Sequence, residues 1–136
     1  CFEMSNNKTG AIIVLQRSNS LDFTLSENNL TQIKLNPQIL ETIFFKNSPL
    51  HDGAILIENN TIVATRVILP VSDSTKVPSS YGLRHRAALG ISEKTDALVL
   101  VISEQSGKIV YVKNGTFIKI DSLESLRDLL TQDLEE

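Results

Sequence analysis

ALVLVISEQSGKIVYVKNGTFIKI, residues 97–120, decides the architecture. Its β-branched apolar runs at 97–103 and 108–113 are strand-length, and Glu104, Gln105, Ser106 and Gly107 between them supply a hairpin link. Asn114 and Gly115 then form the strongest short hairpin signal in the chain. Both tolerate the positive φ that a two-residue turn demands, and they lead into a third strand at 116–120. Strands joined by such short links must run antiparallel.

Working outward, Asp121 or Ser122 caps a C-terminal helix whose apolar stripe is Leu123, Leu126, Leu129, Leu130 and Leu134. Upstream, residues 84–93 hold Ala87, Ala88 and Ile91 in helical phase, which puts Arg84, His85 and Arg86 in a first turn. Free backbone N–H groups and the positive dipole end favour an anion there. Residues 70–81 are rich in Ser, Pro and Asp without a period, so an exposed loop near that turn is expected. Residues 54–58 and 61–69 read as two strands joined by Asn59 and Asn60. Asn36 and Pro37 supply an N-cap and first-turn proline for a helix carrying Ile39, Leu40, Ile43 and Phe44. The continuous apolar run at 10–16 fits a strand covered on both faces, and the polar stretch 18–29 fits a loop. No internal repeat is visible. The sum is an α/β (α+β) fold, a mixed, largely antiparallel central sheet flanked by helices, in a single domain over residues 1–136.

Composition agrees. At 136 residues, 41% hydrophobic and 21% charged, the chain has the size and balance of one globular domain with its own core. A net charge of −3 argues against a nucleic-acid groove, which needs a basic face. Cys1 is the single cysteine, so no internal disulfide forms and a reducing compartment is expected. No apolar run approaches the roughly 20 residues needed to span a bilayer. The chain opens on Cys1 rather than methionine, which suggests a piece of a longer protein.

Two segments carry chemistry. His51 and Asp52 stand beside Gly53 and Ala54 where a hydrophobic run begins, an arrangement suited to a metal or acid-base group at a strand entrance. Arg84 and Arg86 bracket His85, and guanidinium forks match phosphate oxygens in a bidentate way that lysine cannot. Together they suggest a nucleotide whose phosphates are held at one place and attacked at another. On residues alone, Asp52 and Gly53 could equally cap a turn, the basic triplet could be a solvated helix end, and His51 could be a hydrogen-bonded surface residue.

These blocks, NSPLHDGA (47–54), GLRHRAA (82–88), GISE (90–93) and VISE (101–104), resemble in order and spacing those of the diadenylate cyclase domain family, over residues 9–130. The resemblance implies condensation of two ATP molecules into cyclic di-AMP with release of two pyrophosphates, by a nucleotidyltransferase working between two face-to-face subunits. It implies that Asp52 coordinates a metal or accepts the 3′-hydroxyl proton, with Gly53 letting the backbone approach the nucleotide. Arg84 and His85 correspond to the phosphate-binding pair. Arg86 joins the nucleotide-binding set, or else turns away to hold the helix, because three consecutive helical residues cannot all face one ligand. Ala54 and Leu83 are counted beside the ATP, and Leu69 corresponds to an apolar position packing on adenine, although it would serve equally as plain core. Ser103 corresponds to a phosphate or ribose contact and Glu104 to a metal ligand. A divalent cation held by His51, Asp52 and Glu104 would favour Mn²⁺ or Co²⁺ over Mg²⁺ because of the nitrogen ligand.

The chain departs from the family pattern twice, with Leu83 where many relatives carry threonine and Gln105 where many carry a second glutamate. Those two positions support the alternative reading, a catalytically weak or inactive nucleotide-binding sensor. A metal phosphohydrolase ranks last, since it would need more His and Asp ligands than His51, Asp52 and His85. Cyclisation needs two identical attacks, so a homodimer is expected to be required for activity. The expected partners are thus ATP, cyclic di-AMP and a second copy, with no nucleic acid. The expected location is a cytoplasmic catalytic domain, with any membrane anchor in segments outside these residues.

Overall fold

The computed structural model describes residues 2–18, 21, 29–45, 53–72, 77 and 81–134. After a short helix α1 (Phe2–Asn6) come β1 (Ala11–Leu15), β2 (Leu30–Lys34), α2 (Pro37–Phe44), β3 (Ala54–Glu58) and β4 (Thr61–Val67). Then follow α3 (Leu83–Lys94), β5 (Leu98–Ile102), β6 (Ile109–Lys113), β7 (Thr116–Ile120) and α4 (Leu123–Leu134). The strands form one seven-stranded sheet in the order β2-β4-β3-β1-β5-β6-β7. β1 runs parallel to β3, and every other neighbouring pair is antiparallel. The mixed, largely antiparallel sheet read from the sequence is therefore the observed one.

Because strand side chains alternate between faces, each central strand feeds two cores. Ile12, Val14, Leu56, Val99, Val101, Val110 and Val112 point to the face covered by α3, where Ala88, Leu89 and Ile91 meet them. Ala11, Ile13, Ile55, Leu98, Leu100, Ile102 and Tyr111 point to the other face, closed by Met4 of α1, Ile43 and Phe44 of α2, and Leu126 of α4. All five residues of β5 are buried, which is why its sequence shows no polar alternation.

The turns behave as their residues dictate. Asn59 and Asn60 take φ of 50° and 62°, and Asn114 and Gly115 take 50° and 72°, closing the β3–β4 and β6–β7 hairpins. The Asn36 side chain accepts a 2.9 Å hydrogen bond from the Ile39 N–H, capping α2 with Pro37 inside its first turn. Ser122 Oγ accepts from the Ser125 N–H at 3.1 Å and caps α4.

Four expectations need correction. The sequence pattern gave no sign of β2; it is an edge strand of alternating exposed and half-buried residues, held only by β4, so its apolar signal is weak. β4 stops at Val67 rather than at residue 69, after Arg66 takes a positive φ of 55°. The stretch after it is not uniformly exposed: Leu69, Ser72 and Val77 are buried, and the Ser72 N–H bonds the Arg86 carbonyl at 3.0 Å. On α4, Leu126 is buried and Leu129 and Leu130 are partly buried against the core, but Leu123 and Leu134 stay exposed, so only the middle of the stripe meets the sheet. Residues 78–80, most of 18–29 and most of 70–76 lie outside the described set. Among the described residues, no helix is long and apolar enough to cross a membrane.

Candidate active site

The topology gathers the sequence-predicted groups at one end of the sheet. Since β1 and β3 are parallel and β4 and β5 run against them, the starts of β1 and β3 and the ends of β4 and β5 share one edge. The N-terminus of α3 is set down on that edge. Gly82 is its N-cap, with no side-chain cap hydrogen bond, so the first-turn N–H groups keep their capacity for an anion.

There the surface sinks into a cleft of about 800 Å³ lined by Gly53, Leu69, Leu83, Arg84, Ser103 and Glu104, with apolar Ile68 and Val71 at one side. With His85, which also lines it, seven of the residues expected at the site meet in one depression. Gly53 takes φ +83°, and a Cβ there would lie 2.8 Å from the Arg66 backbone carbon, so no other residue allows this strand entrance. Arg84 Nη1 stands 3.5 Å from Glu104 Oε1. The guanidinium lies over Gly10, where an added Cβ would be 2.8 Å from Arg84 Cζ. Absence of a side chain at Gly10 is what lets Arg84 fold across the sheet edge towards Glu104.

Ser103 has a definite hydrogen-bonding state. Its Oγ accepts from the Gln105 and Ser106 N–H groups, each at 3.2 Å, which orders the turn after β5. With its lone pairs so occupied, the hydroxyl is left to donate, the correct polarity for a phosphate or ribose oxygen. The same turn is fastened from outside, where Ser5 Oγ of α1 donates to the Gly107 carbonyl.

His85 differs in character from its neighbour. It is 6% exposed and its ring stacks on Tyr81 with centroids 4.1 Å apart, while Phe117 meets Tyr81 edge-on at 5.1 Å. Burial, and then the positive charge of Arg84, pull its pKa below the ordinary 6.5. A neutral imidazole is therefore presented beside the cationic Arg84. Arg86, two positions further along the helix than Arg84, does not line the cleft, in keeping with the helix-holding alternative. Ala54 is fully buried in the α3-side core. Leu69, 7% exposed, belongs to that core and to the cleft wall at once.

His51 and Asp52 lie outside the described residues. Glu104 is the described member of the expected metal set, and among the described residues no three His, Cys, Asp or Glu side chains cluster. The Glu104 side chain is 60% exposed, and its 3.5 Å separation from Arg84 exceeds that of a charge-assisted hydrogen bond. Its oxygens thus keep room for a cation. Tyr81, Gly10, Ile68 and Val71 carry no clear mark in the sequence; only the aromatic just ahead of GLRHR offered any signal.

Comparison with known proteins places these features in a family. The profile of the family described as DisA bacterial checkpoint controller nucleotide-binding matches residues 1–117. A diadenylate cyclase, CdaS, of Bacillus thuringiensis is 44% identical over 86% of this chain and 58% of its own length. A diadenylate cyclase of Listeria monocytogenes is 39% identical over 96% of this chain and 48% of its own. The chain spans about half the length of the curated relatives it matches. The crystal structure of a double mutant of DacA from Staphylococcus aureus superposes with a TM-score of 0.93 at 34% identity, covering 99% of this chain and 90% of that one.

Proposed function

The chain belongs to the DisA bacterial checkpoint controller nucleotide-binding family, and from that membership and the cleft we propose that it is the catalytic domain of a diadenylate cyclase. It joins two ATP molecules into cyclic di-AMP and releases two pyrophosphates. The observation that carries this reading is the convergence of Gly53, Arg84 and the donor hydroxyl of Ser103 on one cleft beside an uncapped helix N-terminus. Such a site offers a backbone approach, a fixed cation and two kinds of donor to a nucleoside triphosphate. Relatives named diadenylate cyclase support the choice of product.

In the proposed reaction a ribose 3′-oxygen attacks the α-phosphorus, the bond from that phosphorus to the bridging oxygen breaks with its electron pair leaving on pyrophosphate, and the 3′ proton passes to the Asp52 carboxylate or to water. Catalysis is then mostly placement and charge stabilisation. Arg84 and the first turn of α3 hold phosphate oxygens, and Ser103 donates to one of them. Leu69 packs on adenine, Gly53 lets the backbone approach the nucleotide, and Asp52 coordinates the metal or accepts the 3′-hydroxyl proton. His51, Asp52 and Glu104 would hold a divalent cation, Mn²⁺ or Co²⁺ in preference to Mg²⁺. When bound, the cation neutralises phosphate charge and polarises the reacting phosphoryl oxygen. Because one cleft aligns one ATP, the two attacks of cyclisation need a second copy facing the first.

The test is product analysis with ATP and Mn²⁺ across protein dilutions. Cyclic di-AMP and pyrophosphate are expected, with a rate per subunit that rises with concentration and is abolished by Asp52→Asn while ATP still binds. Binding without product would select the sensor reading, to which the 76%-exposed apolar Leu83 at the cleft contributes. A rate per subunit that stays flat down to demonstrably monomeric protein would remove the dimer requirement.

A further inference from the structure

The short helix α1 does not line the cleft, yet it touches the turn that carries two of the cleft's polar groups. Glu104, Gln105 and Ser106 are exposed, so packing does little to hold them, and the turn meets the body of the domain at buried Gly107. There Ser5 Oγ donates to the Gly107 carbonyl, across 102 positions of sequence. The backbones are close as well. Gly107 takes φ +75°, and a Cβ on it would run into the Ser5 carbonyl oxygen and come 3.3 Å from Lys8 Cγ, so only glycine lets the turn and α1 approach this far.

The helix is itself anchored. Met4, 2% exposed, is seated in the core on its side of the sheet, and α1 ends where Lys8 takes a φ of 52° and the Thr9 N–H bonds the Met4 carbonyl at 2.8 Å. That ending feeds directly into Gly10, over which the Arg84 guanidinium lies. Ala11 then pairs with Ile102 in antiparallel register, so Gly10 comes opposite Ser103. Residues 4–10 therefore reach both members of the Arg84–Glu104 pair. Ser5 and Lys8 meet the turn that bears Glu104, and Gly10 lies under Arg84. One segment, fixed to the core by Met4, sets the spacing between the two, and reacting groups misplaced by about 1 Å lose much of their effect.

We propose that Ser5 is a positioning residue of the reaction, through which α1 fixes the 103–107 turn so that Glu104 and the Ser103 hydroxyl stand at a set distance from Arg84. This rests on the cyclase reading above. Ser5 is no part of the cleft wall and acts through Gly107. Without its bond the turn keeps its internal hydrogen bonds, from the Gln105 and Ser106 N–H groups to Ser103 Oγ and from the Gly107 N–H to the Ser103 carbonyl. It survives as a turn and loses its placement. The consequence falls on the cation and the phosphates, while the apolar wall at Leu69 is untouched.

The experiment compares the wild-type chain with Ser5→Ala, Ser5→Thr and Asn36→Ala, the last removing the α2 cap at the opposite end of the sheet as a stability control. Ser5→Ala is expected to lower kcat about fivefold and to raise the Mn²⁺ concentration for half-maximal rate, with KM for ATP near the wild-type value. Amide hydrogen exchange at Gln105, Ser106 and Gly107, measured without added metal, should quicken. Ser5→Thr keeps the hydroxyl and should match wild type, and Asn36→Ala should lower the urea midpoint without moving kcat or the Mn²⁺ dependence. Unchanged exchange or unchanged kcat in Ser5→Ala, an equal loss in Ser5→Thr, or the same loss from Asn36→Ala would overturn the proposal. If the wild type makes no cyclic di-AMP, yet Ser5→Ala quickens exchange in the turn and raises the Mn²⁺ requirement of ATP binding followed by calorimetry, the brace stands and the cyclase reading falls. If instead cyclic di-AMP forms equally well in wild type and Ser5→Ala, the cyclase reading stands and the brace falls.

Discussion

Gly90 sits in the middle of α3, where alanine is intrinsically favoured by about 1 kcal/mol. Yet a Cβ at Gly90 would come within 1.9 Å of the Pro70 carbonyl oxygen and 3.1 Å of the Ser72 nitrogen. Both are backbone atoms, which cannot swing aside as a side chain would. Gly90→Ala is therefore expected to lower stability, by about 3 kcal/mol, with the clash outweighing the helical gain. Urea unfolding checks the sign, and a stabilised variant would mean that the 70–72 segment yields freely. Nothing in the sequence marks this glycine as different from a surface one, since the group it must avoid arrives from a segment twenty positions away. By contrast, the paired positive φ of Asn114 and Gly115 was legible, because a two-residue turn is a local demand. Arg84, Ser103 and the turn at 104–107 were legible as candidates, but the approach of Arg84 to Gly10 and the bonds that tie Ser103 Oγ to the turn's N–H groups were not.

At the scale of elements, α4 shows how a local pattern can be right about identity and incomplete about attachment. Its leucines announced a helix, yet the group that fixes it to the sheet is polar. Asp133, 4% exposed, accepts hydrogen bonds from Tyr111 Oη and Lys113 Nζ, each at 2.7 Å. Burial raises the Asp133 pKa, but the bonds and charge of Lys113, with the Tyr111 hydroxyl, outweigh it and hold the carboxyl below its ordinary value. Burial and then the same carboxylate push the Tyr111 phenol far up, so it remains a donor. Asp133→Asn is expected to destabilise the chain by about 2 kcal/mol, since the ammonium loses its counter-charge in a half-buried site. Chemical denaturation measures it. An acid in the last turn of a helix runs against the dipole, and only the arrival of β6 beneath it explains its presence. The edge strand β2 was invisible for a different reason, because its alternating exposed and half-buried residues leave only a weak apolar signal.

Across the whole molecule, two of these groups make stability depend on pH in the same direction. His85 is held neutral in the folded state with a pKa below 6.5, so the unfolded chain takes a proton first as pH falls through that value. Asp133 is held ionised below its ordinary 3.8, so again the unfolded chain protonates first. Both contributions are therefore full above about 6.5, and stability is expected to decline on acidification in two stages, one below that pH and one near 4 and under. Urea midpoints across pH record both, and His85→Phe, which keeps a ring against Tyr81, should flatten the first stage alone. At this scale the class of sheet was readable from hairpins, and the unbroken apolar run at 10–16 pointed to a central strand, which β1 is; which strands flank it was not readable. Periodicity reports how many faces of a strand are covered, not which strands lie beside it.

That position of β1, parallel to β3 and antiparallel to β5, bears on how the chain acquires its shape. AIIVL is translated ahead of the other strands of this sheet, yet one of its two neighbours, Leu98–Ile102, follows it only after β2, α2, β3, β4 and the helix α3. Until that neighbour leaves the ribosome, an apolar ribbon with an unsatisfied backbone edge stays open to aggregation. Such long-range pairing slows folding and defers completion of the sheet until β5 has been made. The arrangement that brings all the functional groups to one rim thus makes the nascent protein depend on protection while it is being made.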